Sequence, residues 1–154
     1  MSDHLITDNI LVAIETMHYL NQKTCGKVGK MTLKLDMSKA FDRVEWRFLE
    51  SIMLKMGFST KWVNLMMQCI TSVTYSVRIN KQPWGHITPS RGLRQGDPIS
   101  PFLFLFCAEG LSALLHQSTS QGFLRGVSAC SLSPQIFHLF FADDSIIFCQ
   151  ATLE

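Results

Sequence analysis

Two strongly apolar runs, Phe137 to Phe141 and Ser145 to Phe148, are separated only by Ala142-Asp143-Asp144. Aromatic and β-branched runs of this length read as strands, so the stretch predicts a β-hairpin with a carboxylate pair at its turn. Neighbouring carboxylates repel, and aspartate is a poor strand former, so a purely structural sheet gains nothing from the pair. A divalent cation with hard oxygen ligands would remove the conflict. A polar turn, where aspartate is common, accommodates it too. These two residues alone leave both readings open.

A third acid bears on the choice. Met31 to Asp36 alternates Met, Leu, Leu with Thr, Lys, Asp, the period of a strand, and Asp36 stands at its end. If that strand lies beside the hairpin, Asp36 and Asp143 converge despite their separation in sequence. Two carboxylates placed in this way could hold two metal ions for in-line phosphoryl transfer.

Helices fill most of the remaining chain. Apolar Ile10, Leu11, Ile14, Met17 and Leu20 give Thr7 to Asn21 a helical rhythm, with Thr7 or Asp8 available as cap. A second helix is expected from Arg43 to Met56, stopping at Gly57. A third should run from Thr60 to Ser72, capped by Ser59 or Thr60. Tyr75 to Ile79 and His86 to Thr88 read as short strands joined through Asn80-Lys81-Gln82-Pro83. Pro101 to Gln117 is a long apolar helix with proline in its first turn. The pattern predicts an α+β fold, helices packed on one face of a small antiparallel sheet, in a single domain over residues 1–154.

Composition narrows the class. Of 154 residues, 47% are hydrophobic and 17% charged, so the chain is globular and not disordered. The most apolar run, Ile99 to Ala108, is about half the length that a membrane span needs. Five cysteines without a Cys-x-x-Cys pair argue against both a disulfide framework and a zinc site, and read as buried small hydrophobes in a reducing compartment. A net charge of +2 is too small to announce a polyanionic partner.

Three strings nevertheless carry a resemblance. Leu33-Lys-Leu-Asp-Met-Ser-Lys-Ala-Phe-Asp-Arg-Val-Glu-Trp46 resembles the polymerase A motif of reverse transcriptases of the LINE (non-LTR retrotransposon) type. Gly92-Leu-Arg-Gln-Gly-Asp-Pro-Ile-Ser-Pro101 resembles their B motif, and Phe140-Phe-Ala-Asp-Asp144 their C motif. The three occur in family order, and the wording is closest to elements abundant in plant genomes. The resemblance implies a polymerase palm, a ferredoxin-like antiparallel sheet with helices on one face, with incomplete fingers and no thumb. It implies an RNA template, a DNA primer, deoxynucleoside triphosphates, and two Mg2+ ions for which Mn2+ can substitute.

Roles follow residue by residue. Asp36 and Asp143 resemble the metal-binding aspartates, Asp144 the supporting acid, and the Met37 carbonyl a further metal ligand. Phe41 resembles the aromatic gate that leaves no space for a 2′-hydroxyl, which argues for DNA synthesis. Gln95 and Gly96 resemble the pair beside nucleotide and template, the glycine allowing close backbone approach. Without the family, Phe41 could equally be core and Gln95 to Pro98 a plain turn. Lys34, Lys39, Arg43, Arg91 and Arg94 read as surface charge, Trp46, Trp62 and Trp84 as packing residues, and His138 as structural.

The match has edges. Ser2-Asp3-His4 stands where family members carry an apolar-Pro-Gly-Arg stretch. The family's basic fingers, its later palm lysine and its thumb are expected outside Met1 and Glu154, which accounts for the weak charge. Other classes remain: an inactive transposon-derived remnant, an RNA-binding module, and a metal-dependent nuclease. An RNA-binding module would need an RNP-type aromatic string, which is absent. A nuclease would leave Phe41 and Gln95-Gly96 without purpose. The purified chain alone is expected to show no processive synthesis; extension of an RNA-templated primer in a standard assay would contradict this.

Overall fold

A computed structural model describes residues 6–22, 29–128, 133–141 and 144–151. The elements in chain order are α1 (Ile6–Gln22), β1 (Gly29–Asp36), a single 3-10 turn (Phe41–Arg43), α2 (Trp46–Lys55) and α3 (Thr60–Thr71). Then follow β2 (Tyr75–Ile79), β3 (Gln82–Ile87), α4 (Ser100–Ser120), β4 (His138–Phe141) and β5 (Asp144–Ala151). Helices combined with antiparallel strands make an α+β fold, as the sequence pattern predicts. The chain divides into two compact units, one formed by Met1–Ser38 with Leu111–Glu154, the other by Lys39–Gly110.

The first unit holds a three-stranded sheet in the order β1-β5-β4. β5 is central and pairs antiparallel with both neighbours, which explains why it is the most buried of the described strands; Phe148 is fully enclosed. On α1, the Asn9 side-chain amide donates to the Phe140 carbonyl at 3.1 Å. Tyr19 receives Lys30 of β1 over its ring, 4.5 Å from the centroid. The C-terminal half of α4 reaches β4 through Ser112 Oγ and His138 Nε2, 2.9 Å apart. His138 is thus held by its neighbours, as a structural residue would be.

The helical rhythm of α1 holds, but its apolar face is not covered. Its apolar residues Ile10, Leu11, Ile14 and Met17 are exposed, and the buried positions are Ala13 and Thr16. Small side chains let the helix approach closely, and the larger ones are left outside. Met31, Leu33 and Leu35, on one face of β1, are exposed as well.

The second unit is built around Leu49, Met53, Val63, Ile70, Leu93, Leu103 and Phe104. The helix expected from Arg43 begins later, at Trp46, because Phe41–Arg43 forms the 3-10 turn and Val44 and Glu45 are extended. α2 ends as its glycine predicts. Gly57 has φ +89, its N–H donates to the Leu54 carbonyl, and Phe58 N–H donates to Met53, a Schellman closure. Ser59 caps α3 by accepting from Trp62 N–H at 3.3 Å. The second hairpin turns at Asn80 and Lys81, both at positive φ, so β3 starts four residues earlier than expected and includes Pro83. A two-stranded ribbon has only edges, where proline is tolerated.

Among the described cysteines, Cys149 is buried, Cys107 half-buried and Cys69 exposed, so the expectation of uniform burial does not hold; Cys25 and Cys130 lie outside the described residues. Burial pushes the Cys107 thiol from 9.0 up to about 11. Its neutral form therefore stabilises the fold fully below about pH 9, and that contribution is lost as pH rises through about 11. Mass-spectrometric footprinting with iodoacetamide at mildly alkaline pH should label Cys69 first and Cys107 and Cys149 only on unfolding.

Candidate active site

The β1–β5 ladder begins at Gly29↔Ala151 and ends at Asp36↔Asp144. Directly opposed residues of an antiparallel pair share a face, so Asp36 and Asp144 present their carboxylates on the same side of the sheet, their Cβ atoms about 5 Å apart. Phe141, the last residue of β4, pairs with Asp144 on the other side. The strand ending in Asp36 thus does lie beside the hairpin. Asp143, the acid preceding Asp144 in the chain, falls outside the described residues.

Like charges set directly opposite destabilise a sheet. Lys34, two residues before Asp36 and on the same face, offsets part of this: its Nζ lies 3.3 Å from Asp144 Oδ1. Both side chains are substantially exposed, so the pair contributes little to stability. The donor set fits a divalent cation, because carboxylate oxygens are what Mg2+ or Mn2+ selects. Met37 follows Asp36 and is exposed; the Ser38 N–H donates to the Asp36 carbonyl at 3.2 Å.

Phe41, Gln95 and Gly96 belong to the second unit. The Phe41 ring stacks on Phe104 with centroids 4.8 Å apart and 11° between planes. It is half-buried, with one face committed to the core. The Phe41 carbonyl accepts from Leu93 N–H at 2.8 Å, and the Val44 carbonyl from Gly92 N–H at 2.8 Å. Two backbone bonds therefore tie the turn after Asp36 to the loop that carries Gln95 and Gly96, both of which are exposed.

The B-motif resemblance sets Gly96 beside nucleotide and template; within the protein itself, it is Gly92 that makes a close backbone approach. A Cβ on Gly92 would meet the Asp42 backbone at 3.0 to 3.2 Å at φ +94, whereas one on Gly96 would meet nothing within 4 Å. Gly96 has φ +81, a conformation that favours glycine. Trp46, expected only to pack, also makes a polar contact, since its Nε1–H donates to the Gly92 carbonyl at 2.8 Å. Nothing in the residue types distinguishes Gly92 from Gly96; only the partner backbone does.

Residues 4–154 match the reverse transcriptase (RNA-dependent DNA polymerase) family, and the chain belongs to it. Its relatives include retrotransposon proteins and a plant mitochondrial protein. An uncharacterized mitochondrial protein of Arabidopsis thaliana is 55% identical over 67 residues, 44% of this chain and 55% of its own length. The retrovirus-related Pol polyprotein from the type-1 retrotransposable element R2 of Nasonia vitripennis is 32% identical over 116 residues, 75% of this chain. An uncharacterized 149 kDa protein of transposon TX1 from Xenopus laevis is 26% identical over 149 residues, 97% of this chain. The chain spans about half of the Arabidopsis protein, but only 10% of the R2 protein and 11% of the TX1 protein. The family implies a nucleic-acid template and primer and a divalent metal ion, and the mixed helix–antiparallel architecture is that of a partial palm. No helix among the described residues is long and apolar enough to cross a membrane.

The two glycines separate experimentally. Gly92→Ala should cost about 1–3 kcal/mol of stability from its strained φ, with a further penalty from the Asp42 contact. Gly96→Ala should cost only about 1–2 kcal/mol. Urea unfolding of the two variants measures the difference, and equal midpoints would contradict the assignment.

Proposed function

We propose that the chain is a palm segment of an RNA-directed DNA polymerase that adds deoxynucleotides to a primer 3′-hydroxyl in a two-metal reaction. The observation that carries this reading is the Asp36↔Asp144 register, which sets one carboxylate from each of two distant motifs on one face of a sheet. Asp36, Asp143 and the Met37 carbonyl are the proposed metal ligands, with Asp144 as supporting acid. Bound Mg2+ would supply Lewis acidity at the attacking hydroxyl and at the leaving pyrophosphate.

The remaining steps belong to side chains. Lys34 balances Asp144 before a metal binds and must release it, or share it, afterwards. Phe41, held flat against Phe104, cannot swing away from a bulky sugar, so a ring there excludes a 2′-hydroxyl by stiffness as well as by size. Gln95 and Gly96 border the nucleotide on the loop that Gly92 and Leu93 anchor.

A second reading is an inactive transposon-derived remnant. The apolar residues of α1 and β1 left uncovered bear on both readings, since a segment of a longer polymerase would bury them against the rest of that protein and a remnant would not. Thermal unfolding with and without Mn2+, beside an Asp36→Asn/Asp143→Asn double variant, separates the two. Manganese at a hundred times its Kd should stabilise the parent by about 2.7 kcal/mol and leave the variant unmoved. A transition indifferent to metal in both proteins would favour the remnant.

A further inference from the structure

Every residue of the second unit is described, and five of its uncovered apolar side chains stand together on the β2–β3 ribbon. Directly paired residues of an antiparallel ladder share a face. Tyr75 with Ile87, Val77 with Trp84 and Ile79 with Gln82 therefore make one side of the ribbon. A bulge between the first two pairs, with Gly85 at φ +73, keeps Trp84 and Ile87 on that side despite their odd spacing in sequence. Trp84 is 63% exposed, Val77 53% and Ile79 52%, and every other residue of both strands is exposed too. A two-stranded ribbon standing in water is marginally stable at best, so this one gains from a partner.

Charge and area decide what kind of partner. The apolar side carries no cation and no carboxylate, so a charged partner would find nothing there to pair with. The reverse side carries Ser76, Arg78 and Pro83. Arg78 Nε donates to the Lys81 carbonyl at 3.3 Å, which keeps two cations together near the turn. One side thus favours burial and the other favours water. The five apolar side chains expose on the order of 500 Å², within the roughly 300–600 Å² at which a monomer's largest patch is often functional. Two such faces laid together would remove about 1,000 Å² from water, the size at which specific interfaces begin.

We propose that the ribbon is the contact of a twofold dimer, in which its apolar face stacks on the same face of a second copy, with Val77 and Trp84 at the centre. Stacking suits the pattern better than pairing edge to edge, which would lengthen the sheet and leave the apolar side wet. The cationic reverse sides repel a third copy, so the assembly closes at two. Neither the carboxylate site nor the polymerase reading enters the argument.

Sedimentation velocity of the purified chain, in EDTA and without nucleic acid, tests this. Interfaces at the low end of the size range associate weakly, so half-dimerisation is expected at roughly 10–100 µM. Val77→Lys and Val77→Glu, on an exposed strand with little risk to folding, should each weaken the dimer at least about tenfold. An equimolar mixture of the two should recover it, because the symmetry sets each copy's position 77 against the centre of the other face. Recovery also separates a lost contact from a lost fold, and thermal unfolding of each variant checks the same point. Ile14→Glu, on the exposed side of α1, should leave association unchanged. A parent that stays monomeric up to about 500 µM, well above the expected range, would overturn the proposal and leave the face to an unlike partner. A dimer that persists in both Val77 variants, no recovery in their mixture, or loss of the dimer in Ile14→Glu would overturn it as well. Because metal is absent throughout, failure here leaves the manganese result standing, and the reverse also holds.

Discussion

The pairing of β1 with β5 is the constraint on which the first unit rests. It joins two segments far apart in the chain through eight consecutive residue pairs, and β5 has no other means of becoming a central strand. A shift of one residue would carry Asp36 to the face of the sheet opposite Asp144 and bring Met31, Leu33 and Leu35 to the other side. Position of the acids and burial of Phe148 are thus set by one register.

In the second unit a smaller device has a comparable effect. Gly92 and Leu93 donate to the Val44 and Phe41 carbonyls, and Trp46 returns a bond to Gly92. Three hydrogen bonds over a few residues join the segment after β1 to the loop before α4. Each satisfies a backbone group that a loop would otherwise have to leave to water. Together with the Phe41–Phe104 stack they make a rigid bracket out of residues that belong to no regular element.

Much of this is legible in the residues. Period-two alternation locates β1, an aromatic and β-branched run locates β5, glycine at position 57 marks the end of α2, and serine at 59 marks its neighbour's cap. These are local signals with local causes. The start of α2 is not legible, because Phe41-Asp-Arg43 has helix-compatible composition and only the bond from Leu93 to the Phe41 carbonyl shows why the chain turns there first. The exposed stripe on α1 escapes the pattern too, because apolar periodicity says which residues share a face, not whether anything covers it. The pairing of Asp36 with Asp144 lies between these cases, since strand identity is readable and strand adjacency is not.

The order of synthesis gives the β1–β5 ladder another consequence. At about 5–20 residues per second, the partner of Gly29 leaves the ribosome about 120 residues, or roughly 6–24 seconds, after Gly29 itself. Throughout that interval β1 is an apolar strand with both edges open, carrying Met31, Leu33 and Leu35. Helices such as α2 and α3, whose contacts are local, can close within microseconds to milliseconds meanwhile. A nascent chain of this design therefore presents β1 more than a hundred residues before the strand that pairs with it, so its backbone hydrogen-bonding edges stay open to other chains while α2 and α3 form.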